Sequence, residues 1–455
     1  MSAELRKRWV QAGGSFPDSW NVMPLEALLL DNKGIAVGVM YPGPDTLGGV
    51  PLIKVGDVKG GLVPLRPSYC ISTAVNAEYK RTLLAGDELL ITLVGNPGEC
   101  VVVKQHMVGW NTARAIAVVR LADPSLRVYL KAVLESTACR HLIDAVLNTT
   151  VQKTLNLKDI RLLPIPMPPK PVIQAVSHFS NVLNDRVALL RESNATLEAV
   201  AQALFKSWLI DFDPVRAKVE GIDPEGMDAD TASLFPDSFV ESALGLVPFG
   251  WRILPLESAY EVNPPRKLKK GEVAPYLDMA SVATQGHVVS GAVEREMGSG
   301  TKFVNGDTLL ARITPCLENG KSAFVDFLSE DQTGWGSTEF VVLRPRAPLP
   351  PYHGYLLARY SVFRSHAIRS MSGTSGRQRV QNDVLALFPV VVPSKGVAEA
   401  FGDIVGSIQQ KITANQDQVK ILTQLRDTLL PRLISGKTRL LEAETTIENM
   451  LLRSI

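Results

Sequence analysis

Residues 261–271 read EVNPPRKLKKG, and the Asn-Pro-Pro at their centre could take part in chemistry on the amine of a nucleic-acid base. Asn-Pro-Pro followed by an aromatic residue can hold the exocyclic amine of a flipped-out base, because the carboxamide binds the amine and the ring stacks on the base. Here the next residue is Arg266, and the sequence contains no F-x-G-x-G loop to cradle a cofactor. The stretch therefore predicts an extended basic loop, whose Lys267, Lys269 and Lys270 contact a phosphate backbone or are simply solvated.

Other catalytic patterns are missing from the sequence. The six histidines are scattered without metal-ligand spacing, and there is neither a G-x-S-x-G motif nor a paired-carboxylate nuclease core. Four widely separated cysteines without a CxxC predict free thiols in a reducing cytoplasm. The N-terminus lacks the apolar core of a signal peptide, and the apolar runs are shorter than a membrane span. We expect a cytoplasmic, non-enzymatic chain with no cofactor, no metal and no membrane partner.

Composition places the chain among globular proteins of more than one domain. It has 455 residues, of which 45% are hydrophobic and 21% are charged, so two or three domains are expected. The net charge is only +2 and demands no nucleic-acid partner. Its distribution is uneven: residues 358–380 contain arginines and no acid, which predicts a DNA-facing surface, whereas residues 211–241 are acidic and rich in turn formers, which predicts a surface linker.

The two halves of the chain resemble each other at a shift of about 225 residues. PDSWNVMPLEALL at 17–29 matches PFGWRILPLESAY at 248–260, and AGDELLITLVG at 85–95 matches NGDTLLARITP at 305–315. TVQKTLNLKDIRLLPIPMP at 150–168 matches SGRQRVQNDVLALFPVVVP at 375–393. Matches that occur in the same order in both halves indicate a duplication.

Each half ends in a long heptad pattern that predicts a helix too long to be buried against one small domain. The two helices are therefore expected to pack on each other. The predicted seam consists of Leu183, Val187, Leu190, Asn194, Leu197, Ile408, Ile412, Asn415, Val419 and Leu422. Asn194 and Asn415 interrupt the apolar seam, and two interpretations stay open: a buried pair that fixes register, or solvation at a frayed seam.

The segments before the helices predict short strands and turns with short helices near 126–147 and 352–371. The expected fold class is α+β, with two similar mixed α/β domains joined by two long helices that form an antiparallel coiled coil. The predicted boundaries are 1–168 for the first domain, 169–212 for the first long helix, 213–247 for an acidic linker, 248–393 for the second domain, 394–437 for the second long helix and 438–455 for a tail.

This layout resembles the specificity subunits of type I restriction-modification systems over essentially the whole chain. The most specific pieces are LRDTLLPRLISGK at 425–437 and ALFKSWLIDFDPVRAK at 203–218, with support from GVPLIKVGDVKGG at 49–61. The resemblance implies that each domain is a target-recognition domain that reads half of a bipartite site in double-stranded DNA. It also implies that the helices space the domains and dock two methylation subunits and the restriction and translocation subunits, which carry the chemistry.

Loop residues with cationic or amide side chains are the candidates for DNA contacts, because such groups bind phosphates and base edges. The predicted DNA-binding residues are Lys54, Lys59, Asn96, Gln152, Lys153, Arg266, Lys267, Lys269, Arg312, Asn319, Lys321, Thr338, Arg377, Gln378 and Arg379. For any one of them a solvated surface charge is the competing interpretation. Two other functions stay open: a standalone N6-adenine methyltransferase, and a coiled-coil scaffold without DNA contact.

Overall fold

The computed structural model describes residues 2–65, 67–147, 153–242, 245–373 and 378–437. The chain divides into two compact units, which are described separately below. The first unit contains residues up to Leu189 together with the chain from Gln418 onward, and the second unit contains Leu190–Asp417.

The first unit is built around a four-stranded antiparallel sheet, whose strands lie in the order Ile35–Val37, Ile116–Arg120, Glu88–Thr92 and Cys100–Val102. Every residue of the strand at 88–92 is buried, because the sheet is covered on both faces. A mixed three-stranded sheet contains Cys70–Ile71, Val50–Ile53 and Asn111–Thr112, and a two-stranded sheet pairs Asn21–Pro24 with Pro164–Met167. The helices are Ser2–Gln11, Thr73–Glu78, Arg127–Leu134, Thr137–Val146 and Leu157–Arg161.

The second unit has the same plan. Its antiparallel sheet has the order Tyr260–Val262, Phe340–Pro345, Thr308–Ala311 and Ser322–Phe324. A mixed sheet contains Val293–Glu296, Val273–Leu277, Gly334–Gly336 and Thr301–Phe303, and Arg252–Pro255 pairs with Pro389–Val392. The helices after the sheets are His353–Arg359, Ser361–Arg369 and Asn382–Ala386, with Leu256–Ala259 before them.

Both units therefore share one topology, which confirms the predicted similarity of the two domains. The central sheets have the same strand order, and in both mixed sheets one strand pair is parallel: Val50–Ile53 with Asn111–Thr112, and Val273–Leu277 with Gly334–Gly336. The short strands predicted from the sequence before the long helices are present, among them Val50–Ile53, Glu88–Thr92 and Phe340–Pro345. The two pairs of short helices expected before the heptad patterns are present as well.

The two long helices are Lys170–Lys206 and Lys395–Ile434. In the second unit they run antiparallel, because Asn194 contacts Asn415 while Trp208, in the π-helical turn that follows the first helix, contacts the earlier residue Phe401. In the first unit Leu183, Val187, Val419 and Leu422 of the predicted seam are buried. In the second unit Leu190, Ile412 and Asn415 are buried, and Asn194, Leu197 and Ile408 are half-buried.

The two seam asparagines bind each other in the second unit. Asn415 is only 2% exposed and donates from Nδ2 to Oδ1 of Asn194 over 2.8 Å. Asn194 in turn donates from Nδ2 to the carbonyl of Ile412 over 3.2 Å. Because a shift of one helix along the other would leave these amides buried without partners, the pair favours a single register. This geometry supports the first of the two interpretations.

Residues 213–247 are part of the second unit and not a surface linker, which corrects the expectation from composition. The described part of the segment contains the helices Asp213–Val219 and Ala229–Ser233, and a hairpin of Phe239–Ser242 with Gly245–Pro248. Val215, Phe235 and Val247 lie in the hydrophobic core of this unit. The acidic residues dominate the composition of the segment, but its few apolar side chains determine where it packs.

Candidate nucleic-acid interface

In the second unit, three segments that are distant in sequence meet where the strand Thr308–Ala311 ends. The backbone N–H of Arg312 donates to the carbonyl of Glu339 over 2.9 Å, and Val380 N–H donates to the carbonyl of Arg312 over 2.9 Å. Thr314 N–H donates to the carbonyl of Gln378 over 3.1 Å. We call residues 312–321, 337–339 and 378–381 the second loop cluster. It contains six of the predicted DNA-binding residues: Arg312, Asn319, Lys321, Thr338, Gln378 and Arg379.

An ion pair occupies the surface of this cluster. Nε of Arg379 lies 3.0 and 2.9 Å from the two carboxylate oxygens of Glu339, and Nη2 lies 2.5 Å from Oε1. The side chains are 48% and 20% exposed, respectively. The hydrogen bonds from Arg379 hold the pKa of the Glu339 carboxyl below its usual value, so Glu339 stays ionised at neutral pH.

The other polar side chains of the second loop cluster differ in whether they already form hydrogen bonds within the unit. Arg312 donates from Nη2 to the carbonyl of Val380 over 3.0 Å, and Lys321 donates from Nζ to the carbonyl of Met279 over 2.6 Å. Gln378 is half-buried, while Asn319 and Thr338 are exposed. Arg312 and Lys321 therefore bind backbone carbonyls within the unit.

Two arginines of the acid-free stretch 358–380 support the loop from inside. Nη1 of Arg359 donates to the carbonyls of Gly320 and Thr284 over 2.8 and 2.9 Å, and its Nε lies 3.5 Å from Oε1 of Glu198. Arg364 donates from Nη2 to the carbonyl of Glu318 over 3.0 Å. The stretch is thus only partly a basic surface, because other segments of the chain supply acceptors that its own sequence lacks.

The first unit has an equivalent set of loops, residues 93–99, 113–115 and 153–156, which we call the first loop cluster. Leu93 N–H donates to the carbonyl of Ala115 over 2.8 Å, and Leu155 N–H donates to the carbonyl of Leu93 over 2.9 Å. These two bonds correspond to those of Arg312 in the second unit. Asn96 and Lys153 of this cluster are exposed. The structure therefore brings these two predicted residues to the same loop region.

A buried glutamate ties the first loop cluster to the neighbouring KVGDVKGG segment. Glu99 accepts from the N–H of Gly61 over 2.7 Å and from Nδ2 of Asn96 over 3.1 Å. Lys59 of that segment is exposed. Nζ of Lys54 lies 3.3 Å from the centroid of the Tyr69 ring, so its ammonium is held by a cation–π contact.

The Asn-Pro-Pro motif closes an edge strand and does not form an open amine site. Asn263 has a positive φ of 50°, its N–H donates to the carbonyl of Val342 over 2.8 Å, and its Oδ1 accepts from Val342 N–H over 2.9 Å. Arg266 donates from Nη2 to both oxygens of the buried Asp307 over 2.7 and 3.0 Å. Lys267 and Lys269 are exposed, as expected for a basic loop.

The remaining sequence predictions concern two further candidate residues, the cysteines, metal binding and membrane spans. Gln152 and Arg377 lie outside the described residues. The four cysteines are unpaired thiols, and burial raises the pKa of Cys139 to about 12, so this thiol is protonated at neutral pH. Among the residues with described positions, no group of side chains has the composition of a metal site. Of the helices in those ranges, none combines the length and hydropathy of a bilayer span.

Comparisons with known proteins give a consistent relationship, although no family model matches the chain. The type I restriction enzyme HindI specificity subunit of Haemophilus influenzae is 24% identical over 340 residues, covering 62% of this chain and 71% of that protein. The EcoBI specificity subunit of Escherichia coli is 27% identical over 200 residues, 41% of each chain. The crystal structure of a type I restriction-modification S subunit from M. genitalium matches 91% of this chain and 96% of its own, with a TM-score of 0.51 at 16% identity. This similarity establishes a common fold.

The described residues define a duplicated α+β protein in which each unit combines a mixed α/β domain with part of a long helix pair. The chain is a homologue of the specificity subunits of type I restriction-modification systems. The resemblance predicted from the sequence is confirmed.

Proposed function

We propose that this chain is the DNA sequence-specificity subunit of a type I restriction-modification complex and that its two domains read the two halves of an asymmetric bipartite site. The observation that carries this proposal is the duplication itself. The same backbone bonds hold Leu93, Ala115 and Leu155 in the first unit and Arg312, Glu339 and Val380 in the second. Because the side chains at these matched positions differ in charge and hydrogen bonding, the two domains select different bases.

The partners in this proposal are double-stranded DNA, two methylation subunits, and the restriction and translocation subunits. The first long helix supports a docking role, because Val182 and Leu189 are exposed apolar residues seven positions apart and so lie on one helix face. With a net charge of only +2, the chain alone binds DNA weakly and with little specificity. The methylation subunits supply the further DNA contacts that tight binding needs.

Methyl transfer and DNA cleavage belong to the other chains of the complex in this proposal. The state of Asn263 supports this division, because its carboxamide oxygen accepts the N–H of Val342 and its neighbour Arg266 is bound to Asp307. An amine-binding Asn-Pro-Pro would need that carboxamide free and an aromatic ring beside it.

Methylation mapping tests the proposal directly. The full chain is co-expressed with its neighbouring methylation subunit, and the methylated positions of the host genome are mapped. The expected result is one asymmetric motif with two different half-sites and a fixed gap. Replacing residues 248–393 with the corresponding domain of a homologue should then change one half-site and leave the other intact. A single continuous motif, or methylation by the chain without its partner, would contradict the proposal.

A further inference from the structure

Arg379 differs from Arg312, the other arginine of the second loop cluster, because one edge of its guanidinium stays open. Glu339 occupies Nε and one side of Nη2, while Nη1 has no hydrogen-bond partner among the described residues. The side chain is 48% exposed, so this open edge is accessible to a ligand. An arginine edge with two parallel N–H donors matches the O6 and N7 acceptors that guanine presents in the major groove.

The backbone under Arg379 is fixed on both sides. Its N–H donates to the carbonyl of Ser372 over 2.9 Å, and Ser372 N–H donates back to the carbonyl of Arg379 over 3.1 Å. Arg379 also forms an antiparallel bridge with Ile313, next to the end of the strand Thr308–Ala311. With the backbone held in this way and the guanidinium held by Glu339, the side chain loses little conformational entropy when it binds a base.

We propose that Arg379 reads a guanine in the half-site of the second domain and that Glu339 is the positioning residue that orients its guanidinium. This inference rests on the proposed function and adds a base and a residue to it. The other cations of the cluster are less suited, because Arg312 and Lys321 already donate to backbone carbonyls.

The pairing of Arg379 with Glu339 has no counterpart at the matched positions of the first domain. The isolated bridge Ile313–Arg379 corresponds to Val94–Thr154 in the first unit, which puts Thr154 at the position of Arg379. The backbone partner that corresponds to Glu339 is Ala115, which has no carboxylate. The first half-site is therefore read by other groups, and it provides an internal reference for the test.

The test uses the full chain co-expressed with its methylation subunit and compares methylation motifs between variants. Arg379→Ala should relax the motif at one guanine of one half-site by roughly 5- to 150-fold in discrimination, the range expected for losing one bidentate base contact. Arg379→Lys should relax the same position, because an ammonium keeps the charge but not the fork. Glu339→Gln should weaken that preference by a smaller factor, and Arg252→Ala, which removes an exposed arginine of the same unit outside the stretch 358–380, should leave it unchanged.

The outcomes separate this inference from the function on which it depends. An unchanged motif in Arg379→Ala, or relaxation in both half-sites, would overturn the role of Arg379 while the wild-type motif still supports the specificity subunit. Absence of any bipartite motif with the wild-type chain would overturn the proposed function itself. If Arg379→Ala abolishes methylation, the motif of Arg379→Lys is used instead: relaxation at one guanine supports the role of Arg379, and an unchanged motif overturns it. Amide exchange of the strand Thr308–Ala311 verifies that the variant is folded.

Discussion

The two loop clusters have the same backbone frame and different side chains. In each unit a residue after the sheet strand donates to one loop and accepts from another, over distances that agree to within about 0.1 Å: 2.8 and 2.9 Å for Leu93, and 2.9 and 2.9 Å for Arg312. Leu93 and Ala115 are apolar, whereas the matched Arg312 and Glu339 are charged. The frame thus depends on backbone hydrogen bonds that any residue can make, which leaves the side chains free to diverge.

The units differ in a second way, in how they bury a carboxylate beside the central sheet. In the first unit Glu88 binds Arg120 over 3.0 Å. In the second unit Asp307 occupies the structurally matching position, although the sequence alignment of the repeats places it one residue earlier. It is fully buried and binds both Arg266 and Arg344, over 2.7 and 2.9 Å. The second unit therefore concentrates more charge on one buried group and should be more sensitive to its loss.

Among the substitutions, the largest predicted effect is that of Asp307→Asn on the stability of the second unit. The substitution keeps the shape of the side chain but leaves two guanidinium groups without a counter-charge, one of which is only 16% exposed. We expect a loss of about 3 kcal/mol, at the lower end for breaking a buried pair because Arg344 remains partly solvated. The measurement is amide hydrogen exchange of the strands Thr308–Ala311 and Phe340–Pro345.

Two matched variants give this prediction its controls. Asp87→Asn changes the residue aligned with Asp307, but that carboxylate is 69% exposed and lies 3.6 Å from Arg127, so almost no effect is expected. Glu88→Gln should destabilise the first unit by about 2 kcal/mol, because one charged hydrogen-bond partner is left. Equal effects of Asp87→Asn and Asp307→Asn would show that the buried carboxylate of the second unit has no special weight.

A smaller effect is predicted for the contacts between each domain and its portion of the long helices. In the second unit Oδ2 of the half-buried Asp326 accepts from Gln409 and Thr413 over 2.7 and 2.6 Å, and lies 3.2 Å from Nε2 of His287. Asp326→Ala should cost about 2 kcal/mol, since the buried His287 and the half-buried Gln409 and Thr413 lose a shared acceptor. In the first unit Lys104 binds Asp185 over 2.8 Å at an exposed site, and Lys104→Ala should cost less than about 1 kcal/mol.

Urea denaturation is measured by amide exchange in each unit separately, because a single unfolding transition does not describe a chain of two units. A loss for Lys104→Ala as large as that for Asp326→Ala would mean that burial does not decide the strength of these contacts. Replacement of Lys395, an exposed residue at the start of the second long helix, is a control for nonspecific effects of removing a lysine.

The sequence predicts the architecture well because the architecture depends on patterns that repeat. The heptad spacing from Leu183 to Leu197 and the order of matched segments are local or periodic, so they are visible without coordinates. Asn194 and Asn415 were visible too, but their pairing depended on the register of two helices more than 200 residues apart and could not be decided from either helix alone.

The sequence predicts the loop residues less well because partners of charged groups come from distant segments. Arg359 and Arg364 looked like a basic surface, but they bind Gly320 and Glu318. Arg266 looked available for DNA and is held by Asp307. Glu339 lies 40 residues before Arg379 in the chain, and no sequence pattern pairs the two side chains. Only the fold, in which the N–H of Arg312 donates to the carbonyl of Glu339 and Ile313 forms a bridge with Arg379, brings them together.

Stability should also depend on pH, and more steeply in the second unit than in the first. His353 is 1% exposed, and burial lowers its pKa from 6.5 to about 3, so it stays neutral in the folded unit. Below pH 6.5 the unfolded chain binds a proton that the folded unit does not. The stability of the second unit should therefore fall by about 1.4 kcal/mol for each pH unit as the pH decreases from 6.5 towards 3. The three histidines of the first unit, His106, His141 and His178, are exposed and should cause no comparable loss.

Amide exchange at pH 6.5 and 5.5, corrected for the intrinsic rate at each pH, measures this slope separately in the strands Phe340–Pro345 and Ile116–Arg120. His353→Gln should be less stable at pH 7, because the Tyr260 hydroxyl loses its ring-nitrogen partner, and should lose most of the slope between these two pH values. The exposed His141→Gln is the control and should change neither value. If the decrease of stability with pH persists in His353→Gln, it belongs to another group of the second unit. If both units lose stability equally between these pH values, the buried histidine does not distinguish them.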